Sequence, residues 1–202
     1  MLNLKQRYNM KEIEILVEVL ESEEKVLKAL EKFEFKGDKL TVDTYICDPL
    51  RPATKPTVNK KNGNVELEEC IRVREANNKV LITHKINRFD EAGNWQYADE
   101  FETQVTNAKE TLDIFYSIGF KELVKVRNLK RVYVFGNYEI VFERVDELGL
   151  FLEVEFSTDD EKVDIVKTRR EIQKFIDSLG FKTAPESGMG KPEMMLKLKK
   201  LV

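Results

Sequence analysis

The chain has 202 residues, 42% of them hydrophobic and 35% charged, with a formal net charge of −3. That length predicts one domain over residues 1–202 with room for a real core. The near balance of 34 basic and 37 acidic side chains argues against a generic nucleic-acid binder, and the lone His84 excludes any mechanism that needs two histidines.

The first predicted element is a strand over residues 12–20. Glu12 and Glu14 alternate there with Ile13, Ile15, Val17 and Val19, which is the strand period, so both carboxylates share one face. That face reads Glu12, Glu14, Leu16, Glu18, with Leu16 where the pattern asks for a polar residue. Residues 22–33 read as a helix that starts at Ser22, a good N-cap, and keeps Val26, Leu27 and Leu30 on one side. Residues 49–64 hold three prolines and several turn formers and read as a mobile loop, either a solvated linker or a lid bearing Arg51, Lys55, Lys60 and Lys61.

Strands follow over 69–75, with Arg72 and Arg74 opposite Ile71 and Val73, and over 79–86, with Thr83 and Lys85 on one face. Residues 98–105 form another and carry Glu100 and Glu102. A helix over 107–118 begins at Asn107 and ends at Gly119. Residues 122–127 place Lys125 and Arg127 opposite Val124 and Val126, and 130–135 with 138–145 read as a hairpin around Gly136-Asn137. Residues 150–156 carry the second carboxylate pair, Glu153 and Glu155. A helix over 159–179 closes at Gly180, and MMLKLKK near the C-terminus reads as one more strand.

About eight strands with few helices predict an α+β fold built on an antiparallel sheet or barrel. Strand after strand carries charge on one face and hydrocarbon on the other. Such a face is either solvated surface or the lining of a closed barrel whose core lies outside, beneath the helices. Paired carboxylates repel, and an oxygen-seeking divalent cation would relieve them. Clustered Arg and Lys suit a polyphosphate through charge-assisted hydrogen bonds. Both sets in one cavity are what metal-assisted phosphoryl chemistry requires.

The ordered set resembles the CYTH superfamily, the triphosphate tunnel metalloenzymes, in its class IV adenylyl cyclase and thiamine triphosphatase-like branch. The family's ExExK is matched by Glu12-Ile-Glu14-Ile-Leu16, its RxR by Arg72-Val-Arg74, its TxK by Thr83-His-Lys85 and its ExE by Glu100-Phe-Glu102. Its KxR is matched by Lys125-Val-Arg127, and its acidic run by FERVDELGLFLEVE from Phe142 to Glu155. The resemblance implies an eight-stranded antiparallel tunnel, open at both ends, with helices outside. It implies Mg2+ or Mn2+ on Glu12, Glu14, Glu153 and Glu155, with Glu143 assisting. It implies a triphosphate held by Arg72, Arg74, Lys85, Lys125 and Arg127, with Glu143 and Lys85 as the catalytic pair and Lys191 or Lys197 as a last basic contact.

The implied activity is metal-dependent: ATP to cyclic AMP and pyrophosphate, or else hydrolysis of thiamine triphosphate, tripolyphosphate or a nucleotide. The departure is Leu16, which cannot donate a hydrogen bond or hold charge where the family has a catalytic lysine. Loss of one preorganised electrostatic contact costs about 10²–10³ in rate. A non-catalytic polyphosphate binder is therefore a third reading. The aromatic-His signature that precedes ExExK in class IV cyclases is absent, since residues 7–11 read RYNMK.

Expected partners are the triphosphate-bearing small molecule and a second copy of the chain, with no nucleic acid and no membrane. No apolar run of membrane-spanning length and no signal-peptide core is present, so the expected location is cytoplasmic. Cys47 and Cys70 then read as incidental free thiols, His84 as a structural histidine and Trp95 as a hairpin-tip aromatic.

Overall fold

Strand-period alternation governs the architecture. The computed structural model describes residues 10–91 and 93–202; residues 7–9 of the RYNMK stretch lie outside them. In chain order the elements are β1 (Met10–Glu18), α1 (Glu23–Leu30), β2 (Glu34–Cys47), a 3₁₀ turn (Pro52–Thr54), β3 (Thr57–Val58), β4 (Val65–Glu66), β5 (Glu69–Ala76), β6 (Lys79–Phe89) and β7 (Trp95–Val105). They continue with α2 (Ala108–Ser117), β8 (Lys121–Phe135), β9 (Tyr138–Val145), β10 (Gly149–Thr158), α3 (Ile165–Asp177) and α4 (Lys191–Leu198).

Eight strands pair in the order β1-β10-β9-β8-β2-β5-β6-β7 and close into a barrel. Every pairing is antiparallel, including the β7–β1 contact that completes the ring. β3 and β4 form a separate two-stranded hairpin within and just after the proline-rich stretch. The expected caps Ser22 and Asn107 are present, their side chains accepting backbone N–H groups at the starts of α1 and α2, while the helix expected over 159–179 begins later, at Ile165, with Asp164 as its cap. Among the described residues no helix is long and apolar enough to cross a membrane.

Besides the short turn and hairpin strands at the stretch read as a loop, three larger elements differ from the sequence reading. β2 was not expected at all. Its first half is exposed and mostly polar, so its alternation is masked, and a register shift beside Gly37 (φ +121°) breaks the period further. Residues 122–127 and 130–135 are one strand, because Asn128 and Leu129 continue the ladder opposite Thr41 and Leu40. The Asn128 side chain donates to Thr41 Oγ1 at 3.2 Å across that ladder. Leaving MMLKLKK aside, the eight expected strands match the barrel's eight in number because one omission and one division cancel. MMLKLKK lies mostly in a helix, α4, with Pro192 in its first turn.

The outward faces of β1, β8, β9 and β10 form the main core. Ile13, Ile15, Val17 and Val19 pack there with Ile140, Phe142, Leu152 and Val154, covered by Val26 and Leu30 of α1 and Ile172 and Ile176 of α3. A second apolar cluster comes from inward-facing positions and from α4: Leu16, Tyr45, Cys70, Val124, Val126, Val145 and Phe151 meet Met195 and Leu196. Hydrocarbon and α4 thus fill one end of the barrel interior, and the expectation of a passage open at both ends is corrected there.

Candidate active site

The inward-facing side chains that the second cluster does not use surround a cavity of about 790 Å³. One wall is acidic. Glu14 of β1 sits directly across the ladder from Glu155 of β10, and like charges so placed repel. Ligand oxygens of Glu12, Glu14 and Glu155 lie within 4.8 Å of one another. Burial raises the carboxyls of Glu12 and Glu14 above their ordinary range, even with Lys85 opposing the shift. Burial likewise pushes Glu155 up to about 7, and Glu14 and Glu153 add to it. This wall is short of positive charge. Its donor set, three carboxylates without Cys or His, fits an oxygen-seeking divalent cation such as Mg2+ or Mn2+.

The facing wall is basic. Lys85 of β6 bonds Glu12 and lies 3.0 Å from Glu100 of β7. Burial favours the neutral form of Glu100, but Lys85 and Arg72 outweigh it and bring the carboxyl down to about 2. Arg74 of β5 grips Asp43 of β2 through two bonds of 2.7 Å. Burial raises Asp43, yet Arg74 and Arg72 hold it well below the usual carboxylate range. Arg72 donates to Thr83 Oγ1 at 3.1 Å, and Thr83 donates onward to Glu102 at 2.9 Å. The Nε of Arg72 is buried and has no protein acceptor. A buried donor of that kind favours an anionic ligand.

Comparison with known proteins fixes the family. The CYTH domain model matches residues 10–184. The chain belongs to the CYTH domain family. A Methanocaldococcus jannaschii protein named as a putative adenylate cyclase is 28% identical over 170 residues, 82% of this chain and 89% of that protein. A Pyrococcus horikoshii protein of solved structure has the same fold at a TM-score of 0.72 and 23% identity, covering 93% of this chain and 99% of its own. A Hippeastrum structure, described as a putative adenylyl cyclase with a dominant triphosphatase activity, superposes at a TM-score of 0.60 and 15% identity, covering 94% and 96%.

Within this CYTH barrel, Glu12, Glu14, Glu155, Arg72, Arg74 and Lys85 line one cavity. Glu153 lines it too, but its carboxylate is held 2.5 Å from Lys191 Nζ. Glu143 is fully buried and does not line the cavity; it bonds Lys191 and lies 3.7 Å from Lys130. Burial favours the neutral acid at Glu153, but Lys191 and Lys130 hold it well below the usual carboxylate range. Of the two C-terminal lysines named from sequence, Lys191 reaches the interior, while Lys197 donates to Gly63 O at 3.0 Å.

Lys125 and Arg127 are corrected. Both point outward from β8 with side chains 56% exposed, Lys125 beside Glu122 at 3.2 Å and Arg127 near Asp146 at 3.9 Å. The apolar face of that strand, Val124 and Val126, is the inward one, and its parity continues through Asn128 to Lys130. Lys130 is therefore the β8 cation in the cavity. Reading 121–135 as one strand would have put Lys130 on the face of Val124 and Val126 without saying that this face is the inward one. Asp43 was missed with its whole strand, whose alternation is visible only in the second half.

Three supporting side chains also settle. His84 faces away from the cavity and hydrogen-bonds Glu69 at 2.9 Å, a structural role. Thr83 belongs to the Arg72 network, accepting from Arg72 and donating to Glu102. Trp95 is not a free hairpin tip: its Nε1 donates to Asn87 at 3.0 Å and the Arg169 guanidinium lies 5.2 Å from its ring centroid.

Proposed function

We propose that the barrel is an enzyme that binds a triphosphate with Mg2+ or Mn2+ and cleaves one of its phosphoanhydride bonds. The observation that carries this reading is a single cavity in which the carboxylates of Glu12, Glu14 and Glu155 converge, with Lys85 bonded to Glu12 and with Arg72 and Arg74 in the same lining. A triphosphate has about four negative charges near neutral pH and needs both walls at once. A divalent cation on Glu12, Glu14 and Glu155 would neutralise phosphoryl charge. The chain's own residues do the rest. Arg72 and Arg74 orient the phosphates, Lys85 bridges Glu12 and Glu100, and Thr83 fixes the Arg72 guanidinium.

Two reactions fit. In the cyclase reaction the ribose 3′-oxygen of ATP attacks the α-phosphorus, the bond to the bridging oxygen breaks and pyrophosphate leaves. In the hydrolytic reaction a water oxygen attacks the terminal phosphorus and the shortened polyphosphate leaves. The name of the 28%-identical relative supports the first, and the description of the Hippeastrum neighbour supports the second. In either, the proton of the attacking hydroxyl or water passes to solvent.

The deciding experiment incubates the protein with ATP, thiamine triphosphate or tripolyphosphate and Mg2+ or Mn2+, and assays cyclic AMP, pyrophosphate and phosphate. Cyclic AMP with pyrophosphate identifies a cyclase, and phosphate alone identifies a triphosphatase. Tight binding without product makes the protein a binder, and no metal-dependent binding overturns the reading.

A further inference from the structure

We infer that the substrate is a triphosphate ester of a flat, amino-bearing heteroaromatic group, which stacks on Trp95 and offers its amino group to the Glu193 carboxyl. The inference rests on the triphosphate reading above and concerns the part of the substrate that the phosphate-binding residues do not touch. The cavity measures about 790 Å³, inside the roughly 300–1,000 Å³ common for sites that take organic ligands. Beyond its charged walls the lining continues through Leu67, Phe89, Trp95 and Met189. These side chains offer hydrocarbon and aromatic faces, which suit a ring and not a phosphoryl oxygen.

A β-bulge aims Trp95 into the cavity. Ala98 pairs with Asn87 and Tyr97 with Arg88, but Phe89 pairs with Trp95, so Gln96 is the extra residue. Strict alternation from Glu100 and Ala98 would bring Gln96 to the inner face. The bulge brings Trp95 there instead, beside Phe89. Arg169 of α3 pins this irregularity: its Nη1 donates to Glu14 O at 2.8 Å and to Gln96 O at 3.3 Å, and its guanidinium lies 5.2 Å from the Trp95 ring centroid. The indole N–H is spent on Asn87 Oδ1 at 3.0 Å, and the Asn87 amide donates in turn to Leu67 O at 2.7 Å. What Trp95 adds to the cavity is therefore a fixed aromatic surface, the kind on which a base stacks.

Glu193 places an acceptor in the same space. It lines the cavity from the first turn of α4 and is only 6% exposed. Its Oε2 is buried and has no hydrogen-bond partner. Glu14 and Lys85 are close enough for their charges to act on it, so the carboxyl stands near the charged walls as well as the apolar end. A buried oxygen without a donor is costly, and an exocyclic amino group on the ligand would supply one.

The test compares ring-bearing esters with methyl triphosphate, which carries the same ester charge and no ring. The full chain is titrated with ATP, thiamine triphosphate and methyl triphosphate in Mn2+ by calorimetry, and the fluorescence of Trp95, the one tryptophan of the chain, is followed in parallel. At least one of the ring-bearing esters is expected to bind about 10-fold tighter than methyl triphosphate and to quench that fluorescence. Trp95→Leu should shrink the affinity ratio to less than about 3-fold, while Trp95→Phe keeps most of it. Glu193→Leu should also lower the ratio, and Glu193→Gln, which keeps an acceptor oxygen, should lower it less.

A parent chain that binds methyl triphosphate as tightly as both ring-bearing esters overturns the inference and leaves the function proposed above standing. A parent that binds none of the three with Mn2+ overturns that function, and this inference with it. A ratio unchanged in folded Trp95→Leu overturns the stacking role, and equal ratios in Glu193→Leu and Glu193→Gln overturn the amino contact. If Trp95→Leu does not fold, the parent's fluorescence decides. Quenching by a ring-bearing ester and not by methyl triphosphate supports the inference, and the same response to all three overturns it.

Discussion

Leu16 lies directly across the β1–β10 ladder from Glu153, a hydrocarbon facing a carboxylate in the barrel interior. The pair would be costly if it stood alone, because a buried carboxylate needs a compensating charge. Lys191 provides that charge from a different part of the chain, and the rest of α4 covers the hydrocarbon. The departure from the sequence pattern is therefore matched by the tertiary structure around it.

Replacement of any one of Glu12, Glu14 or Glu155 by Gln is expected to weaken Mn2+ binding roughly 10–100-fold, about 1.4–2.7 kcal/mol. Their oxygens converge within 4.8 Å, so each contributes to one site. Without metal the same substitutions relieve repulsion, and Glu155→Gln should raise the melting temperature at pH 8. Titration calorimetry and melting curves with and without Mn2+ check both signs.

Lys125→Ala and Arg127→Ala are expected to change triphosphate affinity by less than about 2-fold, since exposed charges contribute little. Lys130→Ala and Arg72→Ala are expected to weaken it strongly, roughly 10-fold or more. The first two side chains lie outside the barrel and the second two line the cavity. Tripolyphosphate titrations of the four variants at one salt concentration make the comparison.

Leu16→Lys is expected to destabilise the fold by about 2 kcal/mol, or about 4–8 °C in melting temperature. Leu16 is buried in one apolar cluster with Tyr45, Met195 and Leu196, and a charge introduced there loses its hydration. Leu16→Met keeps the volume and should cost less than about 1.5 kcal/mol. Thermal and urea melts of the two variants give the difference directly.

Glu193 of α4 gives the stability a pH dependence. Burial raises its carboxyl from 4.5 to about 7. Between those values the folded protein holds a proton that the unfolded chain has released, so stability falls as pH rises through that window and levels off above it. Glu193→Gln lacks this loss. It should match the parent near pH 4.5 and exceed it at pH 8 by something on the order of 1–3 kcal/mol. Urea denaturation at several pH values measures the gap.

Particular residues show how far sequence reading reaches. Glu12, Glu14 and Glu155 were legible because a two-residue period fixes which side chains share a face, and the structure brings them together. Arg72, Arg74 and Lys85 were legible for the same reason. Lys125 and Arg127 were misplaced because alternation says which residues lie together but not which face is inside. On β8 the inward face carries Val124 and Val126, since at that end the barrel is filled with hydrocarbon. Asp43 was lost because the exposed first half of β2 does not alternate.

By itself the sequence determined which side chains share a strand face, the caps at Ser22 and Asn107, and the grouping of Glu12 with Glu14 and of Arg72 with Arg74, because each follows from local periodicity and local hydrogen bonding. Only the tertiary structure decided that β8 presents Lys130 rather than Lys125 and Arg127, that Asp43 anchors Arg74, and that α4 closes one end of the barrel. It alone brought Lys191 to Glu153, across a separation of 38 residues. Such pairings depend on barrel closure and on what fills each end, and no local pattern encodes either.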